Sequence, residues 1–364
     1  MRNGDRQAVT VPPAAEEQGR VERAAARADR PSALARVLDT GAGRNLGLVA
    51  VLVVLCVIGV STADTFATTS NLLTILTSAS IIGVITVGMT IVIIGGGIDL
   101  SVPWVMTGAG LILPLVLGEH DQGTLVWAIP LVLCMAALVG VVNGLGVTML
   151  GAPPIIMTLA MNGMLSGAVA IYVSSSKPHE APPLLRDAVF GDVAGIPAWA
   201  LMMLVVVVAI SALLSLTTYG RRLYAVGTSS VVSEYSGIRS ARVTVASYAL
   251  CSVCAGLAGM VLLGYVETGY FGMGDPYQFA SIACVLVGGA SVLGGSGHYL
   301  GTIAAAFLLT TVTAVLTIWG VGAGIQAIFY GATILGSAWL LGSGAFAKRS
   351  GSLLVSRLRK AGVA

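Results

Sequence analysis

The sequence predicts an all-α polytopic membrane protein of about ten transmembrane helices, and three observations support this. Hydrophobic residues make up 56% of the 364 positions and charged residues only 10%, against about 25% in an ordinary soluble domain. The mean hydropathy is +0.92. Seven long stretches lack charge altogether, the longest being residues 276–347. Because a spanning helix needs about 20 apolar residues, the composition excludes a soluble enzyme, a secreted disulfide scaffold and a disordered chain.

Prolines and glycines divide the charge-free stretches into individual spans. Pro153 and Pro154 interrupt one stretch, and Gly-rich segments at 294–297 and 320–324 interrupt the last one. The predicted spans are Leu46–Val60, Asn71–Ile94, a span from after Pro103 to near Gly118, Leu125–Met149, Ile155–Val173, Ala198–Leu216, Val243–Val266, a span ending near Leu293, Tyr299–Ile318 and Ile325–Leu341.

The distribution of positive charge predicts which segments face the cytoplasm. Of the 19 lysines and arginines, 17 lie before Asn45, within residues 217–242 or after Leu341, and the positive-inside rule places such segments in the cytoplasm. The predicted organisation is a disordered cytoplasmic tail (residues 1–44), a transmembrane domain (45–342) with a cytoplasmic loop (217–242), and a basic cytoplasmic tail (343–364). A long external loop, residues 174–197, is expected to pack on the outer face or to meet a partner.

Glycine is unusually frequent, with 47 residues, and two Gly-rich segments interrupt apolar stretches at residues 95–101 and 288–297. Broken helices of this kind can line a path through a membrane protein. Asp99 has three interpretations: a helix cap shared with Ser101, a solute contact, or a packing or gating role. For buried amides the alternatives are helix-to-helix hydrogen bonding and solute contact. The candidate path residues are Gly96, Gly97, Asp99, Ser101, Asn143, Asn162, Gly288 and Gly289.

Sequence signals for catalysis or cofactor binding are lacking. The five cysteines lie in apolar runs and are interpreted as packing residues, and three dispersed histidines do not form a zinc motif. The chain has no Walker A loop and no GxSxG motif. No cofactor is therefore expected, nor is nucleic acid as a partner, and an intramembrane enzyme lacks any catalytic constellation.

Several segments, in matching order across about Asn45–Leu341, resemble the permease subunits of ribose-type bacterial ABC importers. They are IVIIGGGIDLSV, APPIIMTLAM, YGRRLYAVG, SGI, AGLAG and QFASIACVLVGGASVLGGSG. The resemblance implies a ten-span permease in the bacterial cytoplasmic membrane that pairs with a second permease copy, identical or not. It also implies a cytoplasmic ATPase that binds the ATP, usually with two nucleotide-binding domains in one chain, and an extracytoplasmic solute-binding protein. The implied coupling helix, which docks into the ATPase, is Ser229–Gly237, with Ser229, Ser233, Glu234, Ser236 and Gly237 as its candidate contacts.

The chain also departs from the family pattern. Pro103, Thr228, Ser229 and Ser296 replace residues usual in the family, and Glu234 replaces a side chain that is commonly basic. The expected function is import of a sugar or sugar-like solute, whose identity the sequence does not specify. The alternative from another class is an ion-coupled secondary transporter, which would need ionisable residues within several spans, and Asp99 is the one candidate.

Overall fold

A computed structural model describes residues 41–117, 125–174, 179–193 and 195–339 of the chain. The predicted tails lie outside these residues, apart from residues 41–44, and so does Lys177 of the external loop. The described residues form thirteen helices and four two-residue strands. The helices are α1 (Gly41–Thr62), α2 (Thr69–Ile94), α3 (Val102–Leu117), α4 (Leu125–Met149), α5 (Pro154–Ser174), α6 (Pro183–Phe190), α7 (Ala198–Leu216), α8 (Thr218–Thr228), α9 (Ser230–Tyr235), α10 (Ser240–Val266), α11 (Tyr277–Val287), α12 (Tyr299–Ile318) and α13 (residues 323–339).

The predicted fold class is confirmed, since the described chain is almost entirely helical and hydrophobic. Seven helices are long and apolar enough to cross a membrane: α1, α2, α4, α5, α7, α10 and α12. Helices α3 and α11 are shorter apolar helices, and α13 is described over 17 residues. These ten helices correspond in order to the ten predicted spans.

Two sequence-based boundaries need correction, and two helices were missed. The predicted eighth span extends to about Leu293, but α11 ends at Val287 because the chain leaves the helix at Gly288 and Gly289. Helix α1 begins at Gly41, before the predicted start of the first span at Leu46. Helices α6 and α8 were not predicted, because each is short and lies in a segment interpreted as a loop.

Helix α2 is the centre of the bundle. Almost every residue from Thr77 to Ile94 is buried, although a helix at a lipid boundary keeps one face exposed. Its neighbours are α10, α12, α11 and α7. An apolar helix surrounded on all sides needs no amphipathic pattern, and its sequence accordingly shows none.

Glycines allow α4 to approach α10 very closely. A Cβ atom added at Gly144 would lie 2.6 Å from the Cα of Val245, and one at Gly140 would lie 2.7 Å from the Cα of Ala249. Lipid chains are as apolar as the helices, so the hydrophobic effect does not drive two helices together within a membrane. Close backbone packing therefore has to stabilise the contact between them. Alanine at either position would force α4 and α10 apart.

Helices α8 and α9 connect α7 to α10 at one end of the bundle, called here the α8–α9 end. The segment between α5 and α7 lies at the opposite end of the bundle, because α7 runs from that end to the α8–α9 end. This segment contacts the end of α10 in two ways. Strand β1 (His179–Glu180) pairs antiparallel with β4 (Thr268–Gly269), and Nη1 of Arg186 in α6 lies 4.0 Å from Oε2 of Glu267. A second short pair, β2 (Asp192–Val193) with β3 (Ile196–Pro197), leads into α7. The described part of the loop predicted at residues 174–197 thus packs on its end of the bundle, which is one of the two alternatives expected from the sequence.

If the positive-inside assignment holds, the two ends differ in their accessibility to a membrane-impermeant thiol reagent. In a cysteine-free background, Glu180→Cys should react in intact cells and Tyr235→Cys only after permeabilisation, since both positions are exposed. Mass-shift labelling of the purified protein provides the measurement. Labelling in the reverse order would contradict the proposed sidedness.

Candidate functional site

The two Gly-rich interruptions end their helices in the same way. After α2, Gly96 adopts a positive φ of 85°, and the N–H of Gly97 donates to the carbonyl of Val92 at 3.0 Å. After α11, Gly289 adopts a φ of 86°, and the N–H of Ala290 donates to the carbonyl of Val285 at 3.1 Å. Both are Schellman motifs, which favour glycine at the left-handed position. The similarity of IVIIGGG and CVLVGGA in sequence is therefore also a similarity of local structure.

The loops after these two helices meet each other and the end of α8. The N–H of Gly295 donates to the carbonyl of Ile94 at 2.8 Å. A Cβ atom at Gly294 would lie 2.8 Å from the Cα of Gly96, and one at Gly227, near the end of α8, would clash with the Ile94 carbonyl. Three backbone segments thus touch without intervening side chains, which glycine alone permits.

Tyr224 ties α8 to the second of these loops. Its hydroxyl donates a hydrogen bond of 2.9 Å to the carbonyl of Gly297. Burial, with a smaller effect of the neighbouring Tyr299, raises the pKa of Tyr224, so the phenol stays protonated and remains a donor. The sequence gives no sign of this link, because the two residues are 73 positions apart.

Helix α9 lies where the coupling helix was predicted and has defined caps at both ends. The hydroxyl of Ser229 accepts from the N–H of Val232 at 3.3 Å, as an N-cap residue does. Gly237, with φ of 80°, ends the helix: the N–H of Ile238 donates to the carbonyl of Ser233 at 3.0 Å, a third Schellman motif. The two bracketing positions therefore fix where this short helix begins and ends.

One face of α9 is buried and the other is open. Ser233 is buried, whereas Val231 and Val232 are more than half exposed and Tyr235 is 90% exposed. Ser240 Oγ donates to the carbonyl of Ser230 at 3.2 Å, which joins α9 to the start of α10. Exposed apolar side chains on a short anchored helix are typical of a protein contact surface.

Exposed charges surround α9. Glu234, the two arginines of α8 and the two arginines around the start of α10 are all exposed, and within the described residues the one ion pair joins Arg186 to Glu267 at the opposite end. Glu234 is therefore available to a partner. The arginines are Arg221, Arg222, Arg239 and Arg242.

A cavity of about 470 Å³, called here the near cavity, lies between α9 and the end of α2. It brings together two groups of predicted residues, Ser229 and Glu234 of the coupling segment with Gly96 and Gly97 of the first interruption. Ser236 and Gly237 do not line it and lie at the exposed end of α9. The near cavity therefore connects the predicted docking helix with the predicted path.

Asp99, Ser101 and Asn143 form a fully buried polar cluster behind the near cavity. The Ser101 N–H (2.9 Å) and hydroxyl (2.6 Å) both donate to Asp99 Oδ1, and Asn143 Nδ2 donates to Ser101 Oγ at 2.9 Å. The Ser101 carbonyl accepts the first hydrogen bonds of α3, so Ser101 holds the N-cap position and Asp99 fixes the turn before it. In this arrangement the three residues pack α4 against the start of α3.

Three atoms of this region have no hydrogen-bond partner in the described part of the chain: Asp99 Oδ2, Asn143 Oδ1 and the Tyr248 hydroxyl. Tyr248 also lines the near cavity, and sequence reasoning did not single it out because it is one of several aromatics in apolar stretches. Buried unpartnered polar atoms are rare and mark places that bind something or rearrange.

Two predicted groups lie apart from the near cavity. Asn162 is on α5, and its buried Oδ1 has no hydrogen-bond partner among the residues that the structure describes. Gly288 packs against the backbone of Gly301 and Thr302 at the start of α12, and Gly289 follows it. Over the described residues, no three histidine, cysteine or acidic side chains are close enough to hold a metal ion.

Comparison with known proteins agrees with this architecture. Residues 71–338 match the family described as the permease component of the branched-chain amino acid transport system. The chain belongs to this family. It is therefore a permease component, a transport subunit without a catalytic role of its own, and an integral membrane protein.

Its relatives include permeases of named import systems. The chain is 30% identical to the ribose import permease protein RbsC of Escherichia coli over 292 residues, 79% of this chain and 90% of the relative. It is 36% identical to the inner membrane ABC transporter permease protein YjfF of E. coli over 65% of this chain and 73% of the relative. It is 29% identical to the autoinducer 2 import system permease protein LsrD of Photorhabdus laumondii, over 73% and 81% respectively. No solved structure matches the chain.

The hydrogen bonds of Asp99 predict different effects for two substitutions. Asp99→Asn retains an oxygen that can accept from Ser101, whereas Asp99→Leu leaves the Ser101 N–H and hydroxyl without that acceptor, at a cost of about 1–3 kcal/mol. We expect Asn to keep most of the transport and thermal stability and Leu to lose both. Uptake and thermal denaturation of the purified permease test this. An equal loss in both variants would show that the negative charge itself is required.

Proposed function

We propose that this protein is the transmembrane subunit of an ATP-driven ABC importer that carries a sugar or sugar-like solute across the bacterial cytoplasmic membrane. The solute class is supported by the names of the relatives, which include ribose and autoinducer 2 import permeases. The observation that carries the mechanism is the contact of α8 with both Gly-rich loops. An exposed helix at one end of the bundle is thereby connected to both helix interruptions in its interior.

The partner at the α8–α9 end is a cytoplasmic ATPase, with two nucleotide-binding domains in one chain. This partner binds and hydrolyses ATP, and the permease itself holds no cofactor. Val231, Val232 and Tyr235 supply apolar contact area on α9, and Ser229, Ser233, Glu234, Ser236 and Gly237 shape and position it. Both termini lie on this cytoplasmic side.

A movement of α9 reaches the interior in two steps. Helix α8 ends where α9 begins, so displacement of α9 moves Gly227 and Tyr224. These residues contact the loops at Ile94 and at Gly295–Gly297. Gly96, Gly97, Gly288 and Gly289 are the points at which the backbone can change direction, and they are proposed to line the inner end of the path when it opens. Asp99, Ser101 and Asn143 hold the start of α3 in place during this change.

Two further partners complete the importer. A second permease copy, identical or related, is proposed to pair with the poorly buried helices of the bundle, since α1 and α5 expose most of their apolar residues. An extracytoplasmic solute-binding protein is proposed to dock at the opposite end, where α6 and the β1–β4 pair form a folded surface.

The ion-coupled alternative has less support from the interior of the bundle. Ion-coupled carriers use ionisable side chains within their spans. Among the described residues, Asp99 is the one fully buried charged side chain, whereas an ion-coupled carrier would need such residues in several spans.

Reconstituted uptake tests the function directly. The permease, its ATPase and its solute-binding protein are reconstituted in vesicles and supplied with labelled D-ribose, other monosaccharides, sugar alcohols and branched-chain amino acids in turn. We expect uptake of one sugar-like solute that needs ATP and the ATPase and continues in the presence of an ionophore. Uptake driven by an ion gradient without ATP would contradict the proposal, and uptake of an amino acid alone would contradict the solute class.

A charge reversal at Glu234 tests the docking helix. If Glu234 meets a basic group of the ATPase, Glu234→Arg should lower the stimulation of ATP hydrolysis by loaded binding protein several-fold, because like charges repel across the contact. Asp64→Arg is the matched control, since Asp64 is also an exposed acid but lies between α1 and α2, outside both proposed docking surfaces. Membrane insertion and thermal stability should be unchanged in both. Normal stimulation and uptake in Glu234→Arg would show that Glu234 is only a solvated charge.

A further inference from the structure

A second cavity, called here the far cavity, lies at the end of the bundle opposite α8 and α9. It has a volume of about 300 Å³ and is enclosed by α2, α11, α12 and α13. It begins at Asn71, near the start of α2, and reaches Ile82, about the middle of that helix. The far cavity is therefore separate from the near cavity, which lies at the other end of α2.

Nine of the fifteen residues that line the far cavity carry a hydroxyl or amide group, although apolar atoms form most of its surface, and no charged residue takes part. Many of these groups have their proton engaged within the protein: Thr74 donates to the carbonyl of Ser70 at 3.0 Å, and Thr317 to that of Thr313 at 2.8 Å. A hydroxyl oxygen has two lone pairs, so each can still accept a hydrogen bond from a ligand. The lining is consequently suited to an uncharged ligand that carries several hydroxyl donors.

The unpaired hydroxyl group of Thr310 is the observation that points to a ligand. Thr310 lines the far cavity and is only 5% exposed, and its Oγ1 is buried without a hydrogen-bond partner within the described residues, so rotation about χ1 is needed to turn the hydroxyl towards the cavity. Most threonines in membrane helices bond to their own helix, as the adjacent Thr311 does with the carbonyl of Phe307 at 2.8 Å. A cavity that merely held a lipid chain would leave Thr310 unpaired.

The hydroxyl lining continues beyond the floor of the cavity. Thr86 and Thr90 follow Thr74, Ser78 and Ile82 at intervals of four residues, so they continue a row of side chains that winds gradually around α2. Thr90 Oγ1 lies 3.4 Å from Thr302 Oγ1 on α12, and the backbone of Thr302 packs on Gly288. Buried hydroxyl groups of α2 thus continue from the far cavity towards the second helix interruption.

We propose that the far cavity is a low-affinity binding site for one uncharged polyhydroxylated solute on its way through the permease. The proposal rests on the proposed function for the supply of that solute. A volume of 300 Å³ is at the lower end of the range for small-molecule sites, about 300–1,000 Å³, so the site accommodates a single small solute. Weak binding suits a transport site, because the solute must also leave it.

The first experiment compares Thr310→Val with Thr311→Val. Valine has nearly the shape of threonine but no hydroxyl. At limiting solute, Thr310→Val should slow uptake by the complete importer about 2- to 10-fold, the effect of one hydrogen bond, with no loss of thermal stability. Thr311→Val should leave uptake unchanged. Equal uptake by the two variants would overturn the proposal.

The second experiment detects occupancy without ATP. Thr74→Cys in a cysteine-free permease is exposed at the far cavity, and Ser70→Cys, one turn earlier, lies outside it. In right-side-out membrane vesicles, the solute that the parent importer takes up, or D-ribose if several are taken up, should slow labelling of Thr74→Cys by an impermeant maleimide at least 2-fold. It should not slow labelling of Ser70→Cys, and L-leucine should slow neither.

The two proposals fail in different ways. If the parent importer shows ATP-dependent sugar uptake but labelling of Thr74→Cys is the same with and without the sugar, the far cavity is not the site and the proposed function stands. If the parent importer takes up no sugar or sugar alcohol, that result contradicts the proposed function. It then also contradicts the solute class proposed for the far cavity.

Discussion

The structure depends on a meeting of three backbone segments at the α8–α9 end of the bundle. The loop after α2, the loop after α11 and the end of α8 come together at Ile94, Gly295 and Gly227, where a backbone hydrogen bond closes the contact. In hydrocarbon, an unpaired backbone group is costly, so irregular backbone is tolerated only where protein or water satisfies it. Here the N–H of Gly295 satisfies the carbonyl of Ile94, so the second loop helps to hold the end of α2.

This constraint explains why so much glycine is found in these segments. The helix ends need left-handed residues at Gly96 and Gly289, and the contact needs residues without side chains at Gly227 and Gly294. The two requirements differ physically, yet both select glycine. The glycines of these segments therefore allow the contact between three backbone segments as well as the ends of the helices.

The sequence was sufficient to predict the fold class and most of the helices. Spans such as α4, α7 and α12 are bounded by charges, prolines or glycines, and their predicted limits match the structure to the residue. The end of α11 was misplaced because Val292 and Leu293 prolong the apolar run, whereas the Schellman motif at Gly289 stops the helix earlier. Helix α8 was missed because its burial, through Leu223 and Val226, depends on contacts with distant residues.

The candidate site was predictable in part. The short helix α9 and the glycine interruptions follow from local sequence, since caps and left-handed turns are local features. The bond from Tyr224 to Gly297 and the unpaired hydroxyl of Thr310 are consequences of tertiary packing. Threonine is common in apolar helices, and nothing in the sequence distinguishes Thr310 from Thr311.

Helix α10 has a mechanical consequence of its own. It runs for 27 residues without interruption, begins beside α9 through the bond from Ser240 to Ser230, and ends where β4 and Glu267 hold the segment that contains α6. A helix of this length is about 40 Å long, so one stiff rod connects the two surfaces at which partners are proposed to dock. Because the helix is stiff, a tilt imposed at one end also displaces the other end. Docking of a loaded solute-binding protein can therefore be transmitted across the membrane by movement of the whole helix, without a series of side-chain rearrangements.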